Sequence, residues 1–133
     1  MNENDSLNPL DWYTVGKRDL KAARSLLHDD EEVLAVAGLL LQQSLEKYLK
    51  GYLLSKGWSL HRTHDLGLLL KSLIEYESDF SEFSDECLKI TDFYTENRYP
   101  LYVTSPVERS ELEKLFSAAE KLIERIESRS KSS

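Results

Sequence analysis

The pattern that most constrains this chain is a set of apolar stripes, each repeating every three to four residues, with no alternating stretch between them. Such spacing places apolar side chains on one face of a helix, so the fold class expected is all-α. Trp12, Gly16, Leu20, Ala23 and Leu27 form the first stripe, opened by Asn8 as a cap and Pro9 at the first helical position. The second runs through Leu34, Gly38, Leu41, Leu45, Tyr48, Leu49 and Tyr52, from about Val33 to Ser55, and ends at Lys56-Gly57. A short third stripe (Leu66, Leu69, Leu70, Leu73) follows Thr63 and Asp65, either of which can cap. The fourth, through Phe80, Phe83, Cys87, Ile90 and Tyr94, has to end by Arg98 or Tyr99 because Pro100 follows. The fifth starts with the capping box Ser105-Pro106-Val107-Glu108 and carries Leu112, Leu115, Phe116, Ala119, Leu122, Ile123 and Ile126.

Four helices of about 17 to 23 residues and one short one make an antiparallel up-down bundle of four to five helices. A chain of 133 residues, 41% hydrophobic and 31% charged, supports one such domain, with its core over residues 9–127 and polar tails on either side. Five Gly and three Pro are too few for the many turns of a β-sandwich or barrel.

Composition also removes several functions. The single cysteine, Cys87, allows no internal disulfide and lies on an apolar stripe, which makes it a core residue and suits a reducing compartment. The residues Met1 to Asn8 show neither the basic nor the apolar region of a signal peptide, and the longest apolar run, Val33 to Leu41, is too short to span a membrane. A cytoplasmic protein with no membrane contact is the expectation. Seventeen basic against twenty-four acidic residues, a net charge of −7, make a poor general polyanion binder. Between Lys47 and Arg62, however, four Lys/Arg stand with no Asp or Glu, a local basic patch through which nucleic acid could still be met.

Three polar groups stand apart from the stripes. Gln43, Glu46, Lys47 and Lys50, in the run Gln42 to Lys50, share one face of the second helix at i, i+3, i+4 and i+7, and the plain reading is an exposed polar face with a Glu46–Lys50 pair. His61-Arg62-Thr63-His64-Asp65 opens the third helix, where unpaired N–H groups attract anions. The His-x-x-His spacing is loose and no cysteine joins it, so no metal is expected, and the plain reading has Asp65 capping the helix with His64 bonded nearby. Asn97-Arg98-Tyr99-Pro100-Leu101-Tyr102 sets an Arg beside two Tyr, a phosphate fork with stacking faces or simply a basic helix end. No phosphate-binding loop, dinucleotide turn, nucleophile elbow or zinc-protease motif is present, and no cofactor is expected.

In their order, Asp19-Leu20 and Ala22-Ala23 after Trp12, Gln43-x-x-Glu46-Lys47-x-x-Lys50, Thr63-His64-Asp65-Leu66, Arg98-Tyr99-Pro100 and an Ala/Leu-rich last helix resemble the HEPN family, in its branch of small free-standing proteins. The resemblance spans about Trp12 to Ile126. It implies a helical bundle, commonly a homodimer, often paired with a small nucleotidyltransferase in toxin–antitoxin-like systems, with a proposed nucleotide ligand. Carried onto this chain, it points to Gln43, Lys47, Lys50, His64, Asp65, Arg98 and Tyr99 as ligand-binding residues, with no catalytic set. Many HEPN proteins are metal-independent ribonucleases marked by Arg, four to six residues, then His. That signature is missing: Arg24 precedes His28 with three residues between them, and neither His61 nor His64 has an Arg at the required distance upstream. A non-catalytic module is therefore expected, with a ribonuclease or a purely structural dimer as alternatives.

Overall fold

A computed structural model describes residues 6–60, 62–94 and 107–131. Helices α1 (Pro9–Leu27), α2 (Leu34–Ser55), α3 (Leu66–Tyr76), α4 (Ser84–Thr91) and α5 (Arg109–Lys131) form an all-α bundle, with no strand among the described residues. The stripes read from the sequence on α1, α2, α3 and α5 are buried at every position.

The ends follow local chemistry. The Asn8 side chain accepts from Leu10 N–H at the start of α1, and Asp65 accepts from Gly67 and Leu68 N–H at the start of α3. Thr63 is not the cap; its hydroxyl accepts from the Asp65 N–H. α2 ends where Gly57 takes a φ of 88°, the left-handed conformation that glycine adopts without cost. The end of α1 and the turn after it are held by a residue far along the chain: the Arg109 guanidinium donates to Leu27 O and Asp29 O. The proposed cap of the last helix at Ser105-Pro106, the Tyr94 side chain, His61 and the whole of Asn97 to Tyr102 lie outside the described residues.

The fourth stripe does not form one long helix. Ser78–Phe83 and Asp92–Tyr94 are 3-10 turns, and only Ser84–Thr91 between them is α-helical. Phe80 and Phe83 both enter the core, and a helix of three residues per turn sets positions three apart on the same side. The serines and aspartates of Ser78 to Asp85 compete for backbone groups and weaken the α conformation.

α1 and α2 are antiparallel: Trp12 meets Gly51, Gly16 meets Tyr48, and Asp19 meets Lys47. Close approach of the two helices is possible because Gly16 and Gly51 lack side chains; a Cβ at Gly16 would lie 2.9 Å from the Tyr48 ring, and Ser44 Oγ donates to Gly16 O at 2.7 Å. α5 runs antiparallel to α1, with Arg24 beside Glu120 and Tyr13 beside Ser130. α2 is the central element, with 14 of its 22 residues buried. Beyond Gly57 the chain folds back along it, which returns His64 to the side of Gln42 and Glu46. That return builds the site.

Candidate functional site

The exposed polar face expected on α2 is only partly exposed. Glu46 and Lys50 retain 4% and 5% of their accessible surface, and Gln42 none. Two charges at such depth are tolerated only when paired and hydrogen-bonded. Lys50 Nζ donates to Glu46 Oε2 at 2.9 Å and lies 5.6 Å from the centre of the Trp12 ring. Gln42 Nε2 donates to Glu46 Oε1 at 3.2 Å and to His64 O at 2.9 Å. His64 Nδ1 lies 2.9 Å from Glu46 Oε1, with 52% of its side chain exposed. Burial pushes the Glu46 carboxyl upward, but the His64 hydrogen bond and the charge and hydrogen bond of Lys50 outweigh it and hold the group below the ordinary carboxylate range. A carboxylate ionised at neutral pH thus lies beneath a half-exposed imidazole.

The other expected residues divide. Lys47 is within 4.0 Å of Asp19 and borders a shallow hollow with Asp11, Trp12 and Val15. Gln43 is half-buried one helical turn before Lys47. Asp65 caps α3, as the plain reading had it. Arg98 and Tyr99 lie outside the described residues.

The local basic patch does not survive folding as a patch. Lys47 meets Asp19 of α1, Lys50 meets Glu46 one turn earlier on α2, and Lys56 meets Glu77 at 3.0 Å, so acids outside the stretch pair with these three lysines. Cys87 is buried and burial, with Glu86 beside it, pushes its thiol up to about 12, which fits a core residue. Among the described residues no three His, Cys, Asp or Glu gather as a metal site, and no helix is long and apolar enough to cross a membrane.

Sequence reasoning missed Gln42, and it missed a second cluster at the far end of α2. There Tyr52 Oη donates to Glu77 Oε2 at 2.5 Å, and Arg129 bridges Glu77 and Asp79 while Arg125 bridges Asp79 and Glu82. Both guanidinium groups also lie over the Phe80 ring. These contacts clamp the end of α5 to the turn after α3. They join residues 25 to 52 positions apart, beyond the reach of any local pattern.

The order of motifs and the bundle now meet an independent comparison. The sequence model of the HEPN domain matches residues 10–129. The chain belongs to the HEPN family. No curated protein and no solved structure matches it. Within this HEPN bundle the Glu46 network is where the described residues converge, and it takes in two of the residues to which the family resemblance pointed, Lys50 and His64.

Proposed function

We propose that this HEPN protein is a non-catalytic module that binds a nucleotide at the polar side of α2 and docks a small nucleotidyltransferase, as one half of a toxin–antitoxin-like pair. The observation that carries the ligand half is the half-exposed His64 imidazole fixed on a buried, ionised Glu46, with Lys47 on the neighbouring α1–α2 surface. In this reading Lys47 and Arg98 contact the phosphates, His64 and Tyr99 are further ligand contacts, and Gln43 lies one helical turn before Lys47. Lys50 acts from behind by neutralising Glu46, and Asp65 by fixing the start of α3. The family supplies the partner and a homodimeric state, the latter testable by light scattering as twice the 15.4 kDa chain mass.

Titration calorimetry with ATP, GTP and their monophosphates tests the ligand directly. Saturable heat for at least one supports the reading; none for any, with protein shown to be folded, removes it. Co-expression with a small nucleotidyltransferase encoded beside the gene, followed by co-purification, tests the partner.

A second reading, a ribonuclease using a rearranged His/Arg pair, draws support from one feature: a carboxylate behind an imidazole is a common general-base arrangement. It predicts RNA cleavage abolished by His64→Ala or Arg98→Ala. RNA left intact by the wild-type chain excludes it.

A further inference from the structure

Folding supplies an acid to many of the chain's cations, Lys47, Lys50, Lys56, Arg24, Arg125 and Arg129 among them. Lys17, Arg18 and Lys21 of α1 are different. Asp19 turns toward Lys47 of α2 and Arg24 toward Glu120 of α5, which leaves these three exposed on the outer face of the helix. Among the described residues no carboxylate lies within ion-pair distance of any of them. The other acid of α1, Asp11, is engaged by Ser6, whose hydroxyl donates to it at 2.6 Å. Lys17 and Lys21 are one turn apart, about 6 Å along the axis, so their like charges repel within a Debye length of about 8 Å. In a chain with twenty-four acidic residues, a surface that carries such a repulsion with nothing in the fold to offset it points to a partner that does. The same face ends in apolar groups. Leu10, at i, i+7 and i+11 with Lys17 and Lys21, is 67% exposed, and Leu7 just before the helix is 70% exposed.

We infer that the outer face of α1 docks a protein partner through a short acidic segment tipped by an apolar side chain, its carboxylates on Lys17, Arg18 and Lys21 and its apolar group on Leu10. The rise from Leu10 to Lys21 is about 16 Å, the span of about five residues of extended chain. Charge decides against larger polyanions. Taking the three cations away from a net charge of −7 leaves −10 for the rest of the chain. A nucleic acid or an anionic bilayer extends far beyond the row and lies against that acidic remainder; a short segment does not. Single-stranded nucleic acid also gains much of its affinity by stacking bases on aromatic faces. The aromatic rings of α1 are turned inward: Trp12 is buried, and Tyr13 stacks on Tyr48. The outer face offers leucine instead, which suits an apolar side chain of a protein. It selects a partner by chemistry, whether or not that partner is a nucleotidyltransferase.

Fluorescence anisotropy of the full chain with a fluorescein-labelled peptide, leucine followed by a run of about five glutamates to match that span, tests the face. The expected result is saturable binding that weakens as salt rises. Lys17→Glu/Arg18→Glu/Lys21→Glu should weaken it at least about tenfold, since three exposed ion pairs give way to repulsion. Lys71→Glu/Lys114→Glu/Lys121→Glu makes the same change in net charge at exposed positions of α3 and α5. It should leave the affinity within about twofold, because charges beyond a Debye length are screened. Leu10→Ser should weaken binding about tenfold and leave its salt dependence as it was, the loss expected when a leucine contact is removed. All seven substituted residues are exposed, and circular dichroism confirms the fold of each variant. No saturable binding of the peptide at low salt overturns the proposal. Equal losses in the two triple variants overturn it too, since the attraction is then one of net charge alone. An unchanged affinity in Leu10→Ser removes the apolar contact. Single-stranded RNA or phosphatidylserine vesicles that bind the wild type more tightly than the peptide, and are lost in the α1 reversal, overturn the choice of a protein segment.

Discussion

Replacing Glu46 by Leu should destabilise the bundle more than replacing its partner Lys50 by Met. Both side chains are buried and 2.9 Å apart, and removing one member of such a pair costs about 3–5 kcal/mol because the other charge is left uncompensated. The two variants are not equivalent. Without Glu46, the Lys50 ammonium keeps only the Trp12 ring as a neighbour within the network. Without Lys50, the carboxylate still accepts from Gln42 and meets His64 Nδ1. Lys50→Met should then cost about 2 kcal/mol, the value of a hydrogen bond to a charged group, and Glu46→Leu a cost toward the upper end of the range. For a domain held by about 5–15 kcal/mol both shifts are large. The double variant should be more stable than Glu46→Leu alone, with a coupling of about 1–3 kcal/mol. Urea unfolding followed by circular dichroism measures all three. Single-variant losses below about 0.5 kcal/mol, in the range of ordinary surface changes, would refute the reasoning, as would strict additivity in the double variant.

Other predictions follow from the same packing. A Cβ added at Gly38 would lie 2.4 Å from the Phe93 ring, so Gly38→Ala should cost about 1–3 kcal/mol, with partial recovery in Gly38→Ala/Phe93→Leu by thermal denaturation. Glu46, Glu77 and Asp79 are all held below their ordinary values, Asp79 by the Arg129 hydrogen bond and Glu77 by Tyr52, Arg129 and Lys56 working against burial. For a depressed carboxyl the folded state binds fewer protons than the unfolded one; their contribution is complete above a pH of about 4.5 and lost as pH falls below it, which urea midpoints across acid pH would register. Burial raises Tyr13 and Tyr52 and pushes Tyr48 up to about 12, so their contribution is complete below a pH of about 10 and fades as pH rises beyond, with tyrosinate absorbance appearing as the fold is lost. Cys87 should react with a thiol reagent only as fast as the protein opens; rapid modification of native protein would contradict its place in the core.

The helices with clean stripes were legible from spacing alone because helix–helix burial is written in the three-to-four residue period. Asn8, Asp65 and Gly57 were legible because caps and left-handed turns use few residue types. The fourth segment was not, since Phe80, Phe83, Cys87 and Ile90 fit an α stripe as well as a 3-10 turn leading into a short helix. The polar face of α2 misled for a related reason. An i,i+4 Glu–Lys pair looks the same whether wet or buried, and what buries this one is a return of the chain 18 residues later. One signal was present: α2 is apolar on nearly all sides, as a central helix has to be, so its few polar residues were bound to meet protein rather than water.

The claim that matters most is that a nucleotide occupies the polar side of α2. Calorimetric titration of ATP into the wild-type protein and into Lys47→Ala tests it at the residue assigned to phosphate. The account predicts saturable binding to the wild type and a clear loss of affinity in a variant that remains folded. Identical binding curves, or no heat with either protein, would contradict it.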